Sequence, residues 1–286
     1  MPEPTPAFGT LYVVATPLGN LEDVTLRALR LLREVALVAC EDTRRTRRLL
    51  EAHGIGTPTT SYFEHNERSK GAQILATLRA GKDVALVSDA GTPTVSDPGE
   101  ALVRDARSAG IAVVPVPGPS AVTAALSVCG LASDRFLFIG FLPAKPGGRR
   151  KALEALARER TTLVFFESPV RVVAALDDMR ELLGDREAFL CREATKSHEE
   201  YVRAPLSTLR DRLAARDTVK GEIVLIVAGA SDAELASEDP VALYRQLAAE
   251  GRTRREAVKE AARRLGRPAR EVYALVQQAE AGDDGA

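Results

Sequence analysis

Short apolar runs alternate with longer amphipathic stretches along most of this chain. The runs at 11–15 (LYVVA), 35–40, 59–63, 84–87 (VALV), 112–116, 136–142 (FLFIGFL), 162–166, 188–191 and 222–228 (EIVLIVA) have the length and composition of strands. Between them, apolar residues recur at helical spacing in 25–32, from Thr43 onward, in 69–80, up to 109, from Ala121, and in 149–158 and 170–183. Strands alternating with helices to about residue 213 predict an α/β protein. The proline-rich break at 115–119 predicts two α/β halves, 1–117 and 118–230. Past that point the pattern changes. The acidic stretch 231–240 (SDAELASEDP) reads as a linker, and 241–250, 253–265 and 268–279 read as helices separated by Gly251 and Gly266. The 231–286 segment is thus expected to be a linker and a small helical, helix-turn-helix-like extension.

Polar chemistry collects where the runs end. After 84–87 come Ser88, Asp89, Ala90, Gly91, Thr92 and Pro93, and then Asp97 to Glu100 lead into a helix. A strand feeding small residues and then a helix lets a ligand approach the backbone at the strand's carboxyl end. Thr16 to Asn20 repeats the arrangement, with Pro17 fixing φ and Gly19 freeing it. So do Pro117 to Ala121, where Ser120 is placed to cap the next helix, the Glu167-Ser168-Pro169 corner, and Arg192 to Lys196. An ordinary βα loop would account for any one of these alone.

Composition narrows the chemistry. With 286 residues, 45 % hydrophobic and 28 % charged, the chain reads as a soluble protein of two domains with room for a small third. Its net charge of −1 makes it no polycation, so nucleic-acid contacts must come from local patches. Two stand out. Arg44, Arg45, Arg47 and Arg48 crowd one predicted helix, with Arg44, Arg47 and Arg48 on a shared face. In 252–270, eight Lys/Arg face two Glu, a local excess of +6. Each patch could equally be a solvated surface. Cys40, Cys129 and Cys191 form no CxxC pair and read as buried free thiols, and His65 has no companion at ligand spacing, so no metal is expected. The leader MPEPTPAFGT lacks a basic and apolar signal pattern and no run approaches ~20 apolar residues, so a cytoplasmic location is expected. There is no G-x-x-x-x-G-K-[ST], no G-x-G-x-x-G after a strand and no H-E-x-x-H. Ser120 lies in Gly118-Pro119-Ser120-Ala121-Val122, which lacks the second glycine of a nucleophile elbow. Hydrolase, kinase and dinucleotide-dehydrogenase readings all lose ground. What remains are loops that offer backbone donors, acceptors and carboxylates to a polar, nucleoside-like cofactor.

Seven segments, in order, carry a resemblance. They are Thr16-Pro17-Leu18-Gly19-Asn20, Glu41-Asp42-Thr43-Arg44, Ser88-Asp89-Ala90-Gly91-Thr92-Pro93, Pro117-Gly118-Pro119-Ser120-Ala121, Gly140-Phe141-Leu142-Pro143, Phe166-Glu167-Ser168-Pro169 and Arg192-Glu193-Ala194-Thr195-Lys196. Across residues 10 to 230 the chain resembles the ribosomal RNA small-subunit methyltransferase I family, within the tetrapyrrole-methylase superfamily, and the basic tail resembles that family's extension. The resemblance implies two α/β domains of the class III methyltransferase type, with S-adenosylmethionine in the cleft between them, usually as a homodimer. It implies methylation of the 2′-hydroxyl of a decoding-centre cytidine in 16S rRNA. Carried over by position, the cofactor contacts would be Pro17, Asp89, Ala90, Gly91, Thr92, Val95, Ser120, Ala121, Leu142, Phe166 and Ala204.

A ribose hydroxyl is a poor nucleophile at neutral pH and needs a base or a cation that stabilises its alkoxide. Lys196 is the candidate cation, and Glu193 or Glu167 the group that orients or deprotonates the hydroxyl; each could instead be a structural ion-pair partner. RNA contacts are expected from Arg44, Arg45, Lys145 and the tail, including Arg254 and Arg255. Two rivals remain: a C-methyltransferase acting on a tetrapyrrole, and a non-catalytic helix-turn-helix ligand sensor. The two basic patches weigh against the first, and the charged strand ends at Glu167 and Lys196 against the second.

Overall fold

A computed structural model describes residues 8–232 and 239–283 and gathers the apolar runs into two five-stranded sheets. The first contains β1 (Leu11–Val14), β2 (Leu37–Cys40), β3 (Thr59–Ser61), β4 (Val84–Val87) and β5 (Val113–Val116), in the order β3-β2-β4-β1-β5, all parallel. Helices α1 (Leu26–Glu34), α2 (Thr43–Ala52), α3 (Glu67–Arg79) and α4 (Glu100–Ser108) connect them. β4 is buried at every position because both of its faces are covered. On one side Ala85 and Val87 pack with Leu31 and Leu32 of α1. On the other, Val84 and Leu86 pack with Ile74 and Leu78 of α3 and Leu102 of α4.

Beyond Pro117–Pro119 the chain leaves this sheet. Helix α5 (Ala121–Val128) sets Val122, Ala125 and Leu126 against Val164, Phe189, Val224 and Ile226 of the second sheet. That sheet holds β6 (Phe136–Phe141), β7 (Thr162–Glu167), β8 (Glu187–Arg192), β9 (Glu200–Pro205) and β10 (Ile223–Val227) in the order β6-β7-β10-β8-β9. β6 and β7 are parallel; the other neighbours are antiparallel. Its opposite face is covered by α6 (Pro146–Leu156), α7 (Val172–Leu183) and α8 (Leu206–Ala214), around Phe165, Leu176, Met179, Leu190, Leu209 and Leu225.

Three local features go beyond or correct the sequence pattern. Residues 200–205, to which the sequence pattern assigns no element, form the edge strand β9; only alternate side chains are covered, so the sequence shows no apolar run. The IVLIV run, last of the strands along the chain, sits in the middle of its sheet, which is why all five residues are buried. Helix α6 begins at Pro146 rather than at 149, since proline fits the first helical turn, and Lys145 becomes its N-cap residue.

Helices α9 (Pro240–Ala249), α10 (Arg254–Leu265) and α11 (Ala269–Asp283) pack around their own core of Leu243, Leu247, Val258, Ala261, Leu265, Val272 and Val276. Thr253 and Glu256 form a capping box at the start of α10, and Gly266, at φ 64°, ends it. Most of the expected linker, 233–238, lies outside the described residues. Among the described residues no helix is long and apolar enough to cross a membrane.

Candidate active site

Adjacent strands β4, β1 and β5 end side by side, and their following loops are tied by hydrogen bonds to main-chain carbonyls. The Thr16 N–H donates to the Gly91 carbonyl and the Gly91 N–H donates back to Thr16, each at 2.9 Å. The Thr16 hydroxyl donates to the Ser88 carbonyl (3.1 Å), and the Thr92 hydroxyl to the Pro119 carbonyl (3.2 Å). From the end of β2, the Asp42 N–H donates to Asp89 Oδ1 (3.0 Å), and Arg45 Nε lies 3.5 Å from Asp89 Oδ2. Gly91 has φ 77°, and a Cβ there would lie 3.3 Å from Leu18. This close-drawn backbone forms one wall of a cavity of about 310 Å³ between the two sheets.

Nine expected donor-binding or catalytic residues line that cavity: Asp89, Ala90, Gly91, Thr92, Val95, Ser120, Ala121, Phe166 and Glu167. Ser120 occupies the N-cap position of α5 without making the capping bond expected of it. Glu167 is 2 % exposed; it accepts the Ser168 N–H (2.6 Å) and lies 3.4 Å from Arg171. Sequence reasoning missed Phe141, Asp97, Cys191, Gly221, Glu222 and Val224 as cavity residues. Asp97 was within reach, since it closes the same small-residue loop; the others depend on how the sheets meet. Burial, followed by the Glu41 charge, pushes the Asp97 carboxyl up to about 6. Burial likewise pushes the Cys191 thiol up to about 11, which leaves it protonated. All three expected free thiols are buried and unpaired with one another.

The remaining expectations fall elsewhere. Pro17 and Lys196 line an adjoining cavity. Leu142 is 2 % exposed in the core of the second sheet, because it alternates with the cavity-facing Phe141. Ala204 sits on edge strand β9, opposite Ala188 and against the same core. Neither lines the cavity.

Lys196 donates to Glu193 Oε1 (2.7 Å) and Glu222 Oε2 (3.1 Å), and the Glu222 N–H also donates to Glu193 (3.0 Å). Burial works to lower the Lys196 pKa, but the two carboxylates outweigh it and hold the ammonium above its ordinary value. Burial works to raise Glu193, and Lys196 together with the Glu222 N–H brings it below its ordinary value. The clamp needs glycines. A Cβ on Gly221 would lie 2.2 Å from Glu193 Cγ, and one on Gly19 would lie 2.2 Å from Lys196 Cγ. The halves also meet where Thr195 Oγ1 accepts the Asn20 N–H (3.2 Å) and where Gly140, in a bulge of β6, passes Ser96. Among the described residues, all four non-glycine positions with positive φ, Thr94, Ser96, Glu193 and Thr195, fall in the two loops at this junction. Such strain persists where the surrounding structure holds a site in one shape.

The expected RNA contacts are exposed but unequal. Arg45 borders both cavities, Arg44 is paired with Asp42 (2.7 Å), and Lys145 is exposed at the start of α6. Arg254 is tied to Glu280 (2.6 Å) and lies over the Tyr273 ring, whereas Arg255 forms no ion pair among the described residues. Arg263 and Arg264 share Glu260. Much of the tail's positive charge is therefore answered locally.

The family model for tetrapyrrole (corrin/porphyrin) methylases matches residues 10–210. The chain is 45 % identical, over 94 % of its length and 95 % of the other's, to the ribosomal RNA small subunit methyltransferase I of Halalkalibacterium halodurans. The protein of the same name from Pseudomonas aeruginosa is 54 % identical over 77 % of this chain and 79 % of its own. The chain belongs to the ribosomal RNA small subunit methyltransferase I family. Among solved structures, uroporphyrin-III C-methyl transferase from Thermus thermophilus complexed with S-adenyl homocysteine matches with a TM-score of 0.57 and 25 % identity, over 77 % of this chain and 97 % of that one. Membership in the methyltransferase I family makes this chain a methyltransferase of the tetrapyrrole-methylase fold.

Proposed function

We propose that this enzyme methylates the 2′-hydroxyl of a decoding-centre cytidine in 16S rRNA, with S-adenosylmethionine as the methyl donor. The observation that carries the reading is a carboxylate-lined cavity between the two sheets with the Lys196 clamp beside it. The cavity fits the donor. Phe141, Phe166 and Val224 give apolar surface for an adenosine, and Asp89, Asp97 and Glu167 suit a ligand bearing sulfonium and ammonium charges. When bound, S-adenosylmethionine supplies a methyl group activated by its sulfonium, and the bonding electron pair stays on sulfur. The chain would hold it through the Asp89–Thr92 backbone, Val95, Ser120, Ala121 and Phe166, with Pro17 next door; Leu142 and Ala204 would contribute only through the core of the second sheet.

Lys196 stays charged and stabilises negative charge growing on the ribose oxygen. Glu193, held as an acceptor, orients Lys196. Glu167, fixed by Arg171, shapes the cavity floor. Asp97, lifted toward neutrality, has the basicity suited to take the hydroxyl proton. RNA is gripped by Arg44, Arg45, Lys145 and the tail, Arg255 more than Arg254. The division of labour is 1–117 and 118–230 around the donor, with 231–286 as the RNA-binding extension. Phe136 and Leu137, exposed on edge strand β6, support assembly as a homodimer. The enzyme would work in the cytoplasm.

The test is methyl transfer from labelled donor to small ribosomal subunits lacking the modification, with mapping of the product. Label on a cytidine 2′-oxygen is expected. Label on a porphyrinoid and none on RNA would favour the tetrapyrrole rival. Wild-type turnover in both Lys196→Ala and Glu193→Ala would remove the clamp from the mechanism.

A further inference from the structure

The donor cavity shares Leu18, Arg45, Asp89, Ala90 and Glu222 with a second, wider cavity of about 490 Å³. Charge separates the two. The first sets Asp89, Asp97, Glu167 and Glu222 against Arg45. The second sets Arg45, Arg48 and Lys196 against Asp89 and Glu222. Arg48 is exposed on α2 and forms no ion pair among the described residues, so its charge is available to an incoming anion. Leu18 and Leu21 add apolar surface beside these cations. A cationic methyl donor is attracted to the first cavity, and a phosphate-bearing nucleotide to the second. A space of this size takes one small ligand, not a helix, and enzymes that modify a nucleotide commonly swing it out of its stack into such a pocket.

Resting on the methyl-transfer reading above, we infer that the second cavity is the acceptor subsite. It receives one extruded ribonucleotide of the RNA. Arg45 and Arg48 hold the flanking phosphates, Leu18 and Leu21 face the base, and the ribose lies at the shared wall beside Lys196 and Glu222. This explains why Lys196 borders the wider cavity while its partner Glu222 borders both. It also gives the arginines of α2 distinct roles: Arg48 looks into a site, whereas Arg44 is paired with Asp42.

Two variants test it, Arg48→Glu and Leu21→Trp; both positions are exposed enough to tolerate the change. Small subunits lacking the modification serve as substrate over a range of concentrations, and S-adenosylhomocysteine binding is followed by calorimetry. Arg48→Glu is expected to raise the KM for subunits about tenfold with little change in kcat, and Arg48→Lys to restore most of it. Leu21→Trp, which fills the cavity, is expected to lower kcat/KM about 100-fold. Both are expected to bind S-adenosylhomocysteine within about twofold of wild type, as a separate donor site requires. Unchanged kinetics in both variants would overturn the subsite. So would a collapse of S-adenosylhomocysteine affinity in Leu21→Trp, which would assign the cavity to the donor. Failure of the wild-type enzyme itself to methylate the subunits would instead overturn the underlying reading.

Discussion

On the first-sheet side of the cleft, the loops after β1 and β4 are joined by main-chain bonds and the loop after β5 by the Thr92 hydroxyl, with Gly91 pressed against Leu18. On the second-sheet side, the loop after β8 is held by charge, with Lys196 between Glu193 and Glu222 and Arg192 on Glu200. Main-chain bonds fix a shape and respond little to pH or salt. Partly buried ion pairs fix a charge and depend on every partner staying ionised. On the reading proposed above, the first half gives the donor its main-chain wall and the second half sets the Lys196 charge at the edge of the acceptor cavity. Substitutions that add atoms should damage the first half, and substitutions that remove charge should damage the second.

Gly19 is where that division should break most sharply. It belongs to the first half, yet the three atoms nearest a Cβ built there are Lys196 Cγ, Cε and Cδ, at 2.2 to 3.0 Å. Gly19→Ala should drive the Lys196 side chain off its path and lower kcat about 100-fold, because a displacement near 1 Å can cost that much. S-adenosylhomocysteine binding, by calorimetry, should change little. Full activity in the variant would mean that the ammonium works from another position.

Glu200 sharpens the other half of the comparison. Its side chain, 13 % exposed, meets Arg192 (2.9 Å), Arg212 (2.9 Å) and Arg216 (2.7 Å). The bond from Arg216 leads in pulling its pKa from 4.5 down to about 2. The folded state thus releases this proton more readily than the unfolded one. The stabilisation is full above pH 4.5 and is lost as pH falls toward 2. Glu200→Gln leaves three arginines without their shared anion and should cost about 2 kcal/mol at pH 7 in urea denaturation. The gap from wild type should narrow by pH 3.

How much of this was legible in the sequence follows the same line. The first half could be read nearly residue by residue: VALV is β4 at the expected limits, and Asp89 to Thr92 line the cavity as placed. Parallel strands covered on both faces leave uninterrupted apolar runs, and their loops carry the site locally. The second half hid its arrangement. β9 shows no apolar run because Tyr201 and Arg203 face outward, and IVLIV gives no hint of being central. Position in a motif placed Leu142 at the donor, but its side chain turns into the core while Phe141 takes the cavity. The Lys196 clamp was legible as charge but not as geometry: Glu222, 26 residues away, arrives only through β10. In the tail, a composition of +6 concealed Glu280 closing on Arg254.

Gly91 should show a smaller effect, confined to the donor. At φ 77°, an alanine is strained by roughly 1–2 kcal/mol and its Cβ also presses on Leu18. Gly91→Ala is expected to weaken S-adenosylhomocysteine binding about tenfold, with the KM for RNA unchanged. A rise in that KM instead would mean that the main-chain wall shapes both cavities, not the donor's alone.

Asp97 tests whether the first half contributes charge as well as contour. Burial, then Glu41, lifts its pKa from 3.8 to about 6, so between those values the folded state holds a proton that the unfolded state has lost. Its favourable contribution is present below pH 3.8 and is lost as pH rises through 6; above that, an ionised carboxylate sits half-buried near Glu41 and Asp89. Asp97→Asn removes the charge while keeping the shape. It should raise stability by about 1 kcal/mol at pH 7.5 after allowance for solvent screening, and the gain should fade near pH 4. If Asp97 takes the ribose proton, the same variant lowers kcat, and the pH-rate profile loses its limb near 6. Stability and turnover then move in opposite directions. A variant that gains stability with an unaltered pH profile would make Asp97 a partner for the donor's positive charge, and the first half would remain a matter of shape.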